Sequence, residues 1–327
     1  MDPLNQTMPS HYNFKPLSLG DVKTYPLASR PSKVTVKQFA RPCEDYSVLR
    51  DFLSNLPDIL AVQSLRRLAV QIRKARDAKK PIVWGLGGHV IKTGLGPIVI
   101  DLMKRGFVTG IATNGSVLIH DTEIALVGST SEDVDSTLPE GIFGGAEETS
   151  QLLNGAAREG AKEGIGLGEA LGRALNATDP PHRDASILCA AYSASIPFTA
   201  HLTIGGDITH FHSTADGPSL GATSHTDFRL LAELVRHMND GGVYLNVGSA
   251  VVLPEVFLKC VTLVRNLGYP LSNITTANLD FIQSYRPLTN VVRRPTEQGG
   301  GHGYSITGHH EIMIPLLAAE LICGDTK

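Results

Sequence analysis

The chain has 327 residues, 42% hydrophobic, 19% charged and 6% aromatic, with a formal net charge of -3. This is ample apolar content for a sizeable core, and the near-balanced charge gives no electrostatic reason to expect nucleic acid or an anionic membrane surface as a partner. The four cysteines, Cys43, Cys189, Cys260 and Cys323, are far apart in sequence, which excludes a CxxC metal knuckle or redox pair.

Residues 1–42 are rich in Pro, Ser and Lys and show little periodicity. They read as an extended N-terminal arm with a short strand at 34–39. The first residues have neither a basic region nor an apolar stretch, so no signal peptide is expected. No apolar run approaches the ~20 residues that span a bilayer, and a cytoplasmic protein is expected. From 43 to 327 the pattern reads as a single α/β domain. Asp45 is placed to cap a helix carrying Val48, Leu49, Phe52 and Leu56, and a second helix covers 59–79. Residues 81–85 form a short apolar run before a glycine turn, the signature of a buried parallel strand. A helix at 94–104, a strand at 108–113 and a helix after Asn114 follow. Helices at 147–159, 167–175 and 185–194 lead to a strand at 197–202. A loop at 203–223 precedes a helix at 227–238, a strand at 243–247, a helix at 254–266 and a strand at 274–277. A second long loop, 278–307, ends in a helix at 312–322. Cys189 and Cys260 fall in the apolar helical runs and read as reduced core thiols. Short apolar strands alternating with helices specify a doubly wound, mostly parallel, Rossmann-like sheet.

In such sheets ligands bind beyond the carboxyl ends of the strands, so the residues after each strand carry the information. After the first come Gly87, Gly88, His89, Lys92 and Thr93, then Gly94, whose glycines allow close backbone approach to an anion. The spacing is not GxGxxG. After the second come Asn114, Gly115, Ser116, His120 and Asp121. At and after the third come His201, then Gly205, Gly206, Asp207, His210 and His212; after the fourth, Gly248. The last loop supplies His302, His309 and His310. Eight of the twelve histidines thus fall near expected strand ends. In an extended segment His210 and His212 share a face, which with Asp207 or Asp121 suits zinc or another divalent ion. The alternative is polar contact to ribose, phosphate or substrate with acid–base work near neutral pH by His89, His120, His212 or His310. Lys92 is the one lysine in the first glycine turn, suited to a phosphate or to service as an amine.

The strings WGLGGHVIKTG at 84–94, VTGIATNGS at 108–116, IPFTA at 196–200, GSAVV at 248–252 and IPLLAAE at 314–320 resemble, in order and spacing, those of deoxyhypusine synthase. The likeness runs over about 79–321. It implies that family's NAD/FAD-binding fold, a homotetramer, and NAD at the strand ends, lined by Gly88, His89, Lys92, Thr93, Asn114, Gly115, Gly205 and Gly248. The departures bear on activity. The position of the family's catalytic lysine is Leu253, followed by Pro254, so imine chemistry there is impossible. Leu118, Ile119, His120 and Asp121 stand where the family has its acidic pair. A site with histidines, Arg286, Arg293 and Arg294 suits an anionic or neutral small-molecule ligand better than a polyamine. Two readings follow. One is an NAD- or nucleotide-binding enzyme that is not a deoxyhypusine synthase, with a zinc-type hydrolase or lyase as its variant. The other is a non-catalytic nucleotide- or metal-binding protein on the same scaffold.

Overall fold

The structure, a computed structural model, describes residues 17–323. Part of the expected arm lies outside that range. Further along the arm the chain is built against the body of the protein: Leu27 is buried, and β1 (Ser32–Thr35) forms a ladder. Asp45 accepts a hydrogen bond from the Ser47 N–H, as expected of a cap, and opens a 3-10 turn that runs into α1 (Arg50–Ser54). An amphipathic helix, α2 (Leu60–Asp77), buries Leu65, Leu68, Ala69 and Ile72 along one stripe.

The first apolar run becomes β2 (Ile82–Leu86), every residue of it buried. It leads through a four-residue helix, α3 (His89–Lys92), to α4 (Gly96–Lys104); Gly94, at φ +74°, makes the break between them. Next come β3 (Gly110–Asn114) and α5 (Gly115–Val127). Asn114 caps α5 with its own side chain, and Gly128 closes it in the left-handed region. β4 (Ser129–Glu132) pairs antiparallel with β1. The strand expected at 34–39 overlaps β1 only at Val34 and Thr35, since 36–38 form a 3-10 turn; β4 has no counterpart in the sequence reading, because its polar residues give no apolar run.

After a one-turn helix, α6 (Val134–Thr137), the helices α7 (Glu147–Glu163), α8 (Leu167–Ala177) and α9 (Ile187–Ser193) lead to β5 (Phe198–His201). α10 (Gly217–His237) begins ten residues earlier than the apolar pattern predicts. Asp216 caps it by accepting from Ser219 N–H, and Pro218 occupies its first turn. β6 (Val243–Val247) and α11 (Val252–Asn266) agree closely with expectation. β7 (Thr275–Asp280) runs three residues further than expected. The second long loop contains a π-helical turn, Pro287–Arg293, and an edge strand, β8 (His302–Thr307). The chain is then closed by α12 (His310–Cys323).

All pairings in the main sheet are parallel, in the order β5-β3-β2-β6-β7-β8. Renumbered within this sheet, that is 3-2-1-4-5-6, the doubly wound Rossmann order, whose switch point lies between β2 and β6. Alternation places Ile82, Trp84 and Leu86 with Val243, Leu245 and Val247 in the core on one face. Val83 and Tyr244 point to the other, among Leu253, Phe257 and Cys260 of α11 and Leu231 of α10. Tyr244 stacks on Phe257 at 3.8 Å, and Gly85 makes room for it: a Cβ there would fall 2.3 Å from the tyrosine oxygen.

Asp227 of α10 ties β5 to α8 by accepting from the Gly168 and Ala200 N–H groups through one carboxylate oxygen. Burial pushes its pKa up to about 7, outweighing these hydrogen bonds, which pull it down. A raised carboxyl pKa stabilises the fold fully below the unfolded value and loses that contribution as pH rises toward 7. Asp227→Asn is therefore expected to match the wild type near pH 3.5 and exceed it increasingly up to pH 8, by on the order of 4 kcal/mol. Urea midpoints across that range test this; parallel curves for the two proteins would refute the assignment.

Candidate functional site

The carboxyl ends of β2, β3, β6 and β7 meet the first glycine turn. Gly87 donates its N–H to Val247 O at 2.8 Å, and a Cβ on Gly87 would lie 1.9 Å from the carbonyl oxygen of Gly248. The turns after β2 and β6 thus touch backbone to backbone at the switch point, and Gly248 adopts φ +71° to do so. Gly88 faces the next turn: a Cβ there would meet Ser116 Oγ at 2.5 Å and His120 Cδ2 at 3.4 Å. Gly115 lies under the Asp207 carboxylate. The Thr93 hydroxyl donates to His89 O, closing the short helix, and the Asn114 carboxamide oxygen is occupied at its own helix start.

The histidines divide into groups. On the β6–β8 side His89 lies 5.4 Å from His310 and 6.0 Å from Phe281, and Phe281 stacks on His309 at 5.8 Å. His310, fully buried, meets Leu279 O through Nε2 at 3.0 Å. Burial and the neighbouring His310 hold the His89 pKa below its ordinary value, which favours the neutral ring at His89.

On the β3 side a cavity of about 160 Å³ is lined by Arg30, Lys92, Ser116, His120, Glu123, Glu132 and Asp207. Arg30 holds Glu123 bidentately, at 2.9 and 2.7 Å, and lies 3.9 Å from Glu132. Glu132 is satisfied by the Tyr25 hydroxyl and the Gly144 N–H. His120 Nδ1 meets the Thr130 hydroxyl at 2.7 Å, and that hydroxyl donates to Glu123. Burial, then Lys92 and Arg30, push the His120 pKa down to about 3, so its ring is neutral at physiological pH. Burial likewise lowers the Lys92 pKa and raises that of Asp207 to about 6. Among the described residues no side chain pairs with Lys92, and Asp207 Oδ2 is buried without a hydrogen-bond partner.

Several expectations need correction. Residues 208–211 form a 3-10 turn rather than a strand, so His210 and His212 do not share a face. His210 Nδ1 accepts from the Gly205 N–H at 3.1 Å, while its Nε2 stands 4.0 Å from Asp207; His212 turns to Thr214. Among the described residues no group of three His, Cys, Asp or Glu side chains could hold a metal ion. Asp121 is fully buried and caps α9 through the N–H groups of Ile187 and Leu188. His201 is buried against Thr199, and His302 opens β8, placing it at the opposite end of the sheet beside Arg66 and Arg67. Arg286 and Arg294 are engaged by Glu255 and Asn290. Leu253 is fully buried, so the position of the family's lysine faces core.

Arg30, Glu123, Thr130 and Phe281 were absent from the sequence reading. Glu123, three residues after His120 on one helix, had a readable signal. Arg30 and Thr130 had none, since they reach the site through the β1–β4 ladder. A larger cavity, about 680 Å³, lies at the amino end of β5 beside Gly168, Tyr192 and Pro197, away from the glycine turns. No described helix is long and apolar enough to cross a membrane.

No family model matches the chain. Over 135 residues, 41% of this chain, it is 27% identical to the bifunctional arginine dihydrolase/ornithine cyclodeaminase AgrE of Nostoc sp., and the match spans only 19% of that protein. Among solved structures, a conserved LOR/SDH-type protein from Methanococcus maripaludis S2 matches with TM-score 0.50 at 16% identity, over 86% of this chain and 73% of that one. The ternary complex of AgrE with ornithine and NAD+ matches with TM-score 0.51 at 16% identity, over 79% of this chain and 32% of that one. A structure described as a deoxyhypusine synthase from Entamoeba histolytica matches at 11% identity with TM-score 0.44, too low to bear on activity. At these identities the structural likenesses establish the fold: a parallel, doubly wound α/β sheet of the Rossmann type.

Proposed function

We propose that the protein is an enzyme that binds NAD across the switch point between β2 and β6 and takes a small zwitterionic substrate in the adjoining cavity beside Gly88. The observation that carries this reading is the glycine contact at the switch point. A parallel sheet in the 3-2-1-4-5-6 order places its ligand there. A Cβ on Gly87 or Gly88 would run into Gly248 or Ser116 of the neighbouring turns, and one on Gly248 would lie 3.1 Å from the His310 ring. Backbone approaches a ligand most closely where side chains are missing. Gly87, Gly88 and Gly248 would face the pyrophosphate, and His89, Phe281 and His310 the ring at one end. The fit departs from the usual fingerprint in one respect: buried Val90 stands where a third glycine would sit, and α3 has only four residues, so backbone N–H groups rather than a long helix dipole would meet the phosphates. Bound, the dinucleotide supplies a hydride acceptor.

The cavity chemistry supports the substrate class. Of its charged lining, Arg30, Glu123 and Glu132 satisfy one another and Tyr25, leaving one cation, Lys92, and one carboxylate, Asp207. That pair complements a carboxylate and an ammonium on one small molecule. The AgrE structure solved with ornithine and NAD+ supports the same combination on a similar fold. The exposed apolar residues Phe281, Ile282, Tyr285 and Ile312 beside His309 suit burial by another copy of the chain, in keeping with a homotetramer. Native mass spectrometry of the protein as purified, followed by calorimetry with NAD+ and then with L-alanine, L-norvaline and L-ornithine against propionate and n-propylamine, tests the reading. Binding of NAD+, and of amino acids at least tenfold more tightly than the singly charged analogues, is expected. Absence of NAD+ binding would remove the reading.

A further inference from the structure

The chain Arg30–Glu123–Thr130–His120 fixes more than charge. Both oxygens of Glu123 accept from Arg30, Oε1 from one guanidinium N–H and Oε2 from another, so neither carries a proton. Oε2 also accepts from the Thr130 hydroxyl, which has only one hydrogen to give. The contact between Thr130 Oγ1 and His120 Nδ1 at 2.7 Å must then be donated by the ring. A neutral imidazole protonated at Nδ1 has a bare lone pair at Nε2. The Cδ2–Nε2 edge is the part of the ring that faces Gly88, because Cδ2 is the atom a Gly88 Cβ would meet. Glu123 is 1% exposed and Arg30 2% at their side chains, so the chain is sheltered from water that would scramble its direction.

We infer that Arg30, Glu123 and Thr130 are positioning residues that hold His120 in its Nδ1–H form, making Nε2 the fixed acceptor for a ligand N–H or O–H placed beside Gly88. This rests on the reading of the cavity as the substrate site and adds a selection rule to it: the ligand must bring a donor to that position, an ammonium or a hydroxyl, and an acceptor-only group there is rejected because two lone pairs would face each other. His120 acts as an acceptor rather than a proton carrier, consistent with its burial.

The test uses the full chain labelled with 15N-histidine, without ligand. Long-range 1H–15N correlation spectra distinguish the two tautomers, and His120→Gln assigns the signal by its loss. The Nδ1–H form is expected to dominate in the wild type. Thr130→Val, which keeps the shape and deletes the hydroxyl, is expected to shift the population toward Nε2–H, and Thr130→Ser to restore it. A wild type dominated by Nε2–H, or a Thr130→Val protein still dominated by Nδ1–H, overturns the inference. Because no dinucleotide is present, failure here is separable from failure to bind NAD+.

Discussion

Replacing Arg30 by methionine is expected to cost about 3–5 kcal/mol of stability, because it removes one partner of a buried ion pair and strands the other. The expectation rests on what Arg30 separates. Glu123 and Glu132 approach the guanidinium from two sides, with side chains 1% and 4% exposed. Without the cation, two carboxylates share a dry space, and the Thr130 hydroxyl is left to satisfy one of them alone. The Tyr25 hydroxyl donates to Glu132 but brings no positive charge to replace the guanidinium. Arg30→Met with Glu123→Leu removes the stranded charge along with its partner and is expected to recover at least half of the loss. Urea unfolding midpoints measure both. A single variant that loses less than about 1 kcal/mol would mean that water reaches the pair and that the cavity is not the enclosed polar site described above.

That experiment also bears on what the sequence made legible. The sheet was readable because β2, β3, β6 and β7 are buried on both faces and short, and β2, β3 and β6 carry apolar runs closed by a turn. β4 and β8 were not, since a strand that pairs at an edge or in a two-stranded ladder need not be apolar: Ser129–Glu132 and His302–Thr307 are mostly polar. Misreading 302–307 as loop placed His302 at the wrong end of the sheet, and misreading 208–211 as extended produced a metal pair that the 3-10 turn pulls apart. The glycine turn and His120 were found because strand ends are predictable. Arg30 was not, because its route to the site depends on the pairing of β1 with β4, a contact across about a hundred residues that no local pattern reports.

Gly87 and Gly88 are adjacent, yet their alanine variants are expected to differ in kind. A Cβ on Gly87 would lie 1.9 Å from the Gly248 carbonyl oxygen and 2.5 Å from its carbon, both backbone atoms at the join of β2 and β6. Backbone cannot rotate away, so Gly87→Ala must push two central strands apart, and a loss of about 1–3 kcal/mol or more follows. A Cβ on Gly88 meets Ser116, whose hydroxyl can turn to another rotamer by giving up its hydrogen bond to Asn114, while the Ser116 Cβ at 3.1 Å need shift only slightly. Gly88→Ala is therefore expected to lose less stability than Gly87→Ala, while placing a methyl group 3.4 Å from His120 Cδ2, against the ring edge that the ligand would approach. Calorimetric affinity for NAD+ and for amino acids should fall at least about tenfold, a cost of 1.4 kcal/mol. The comparison isolates the binding role, because only Gly88→Ala separates ligand affinity from fold. If Gly88→Ala binds both ligands as the wild type does, the missing side chain at this glycine serves packing alone, and the dinucleotide would have to approach the rim elsewhere.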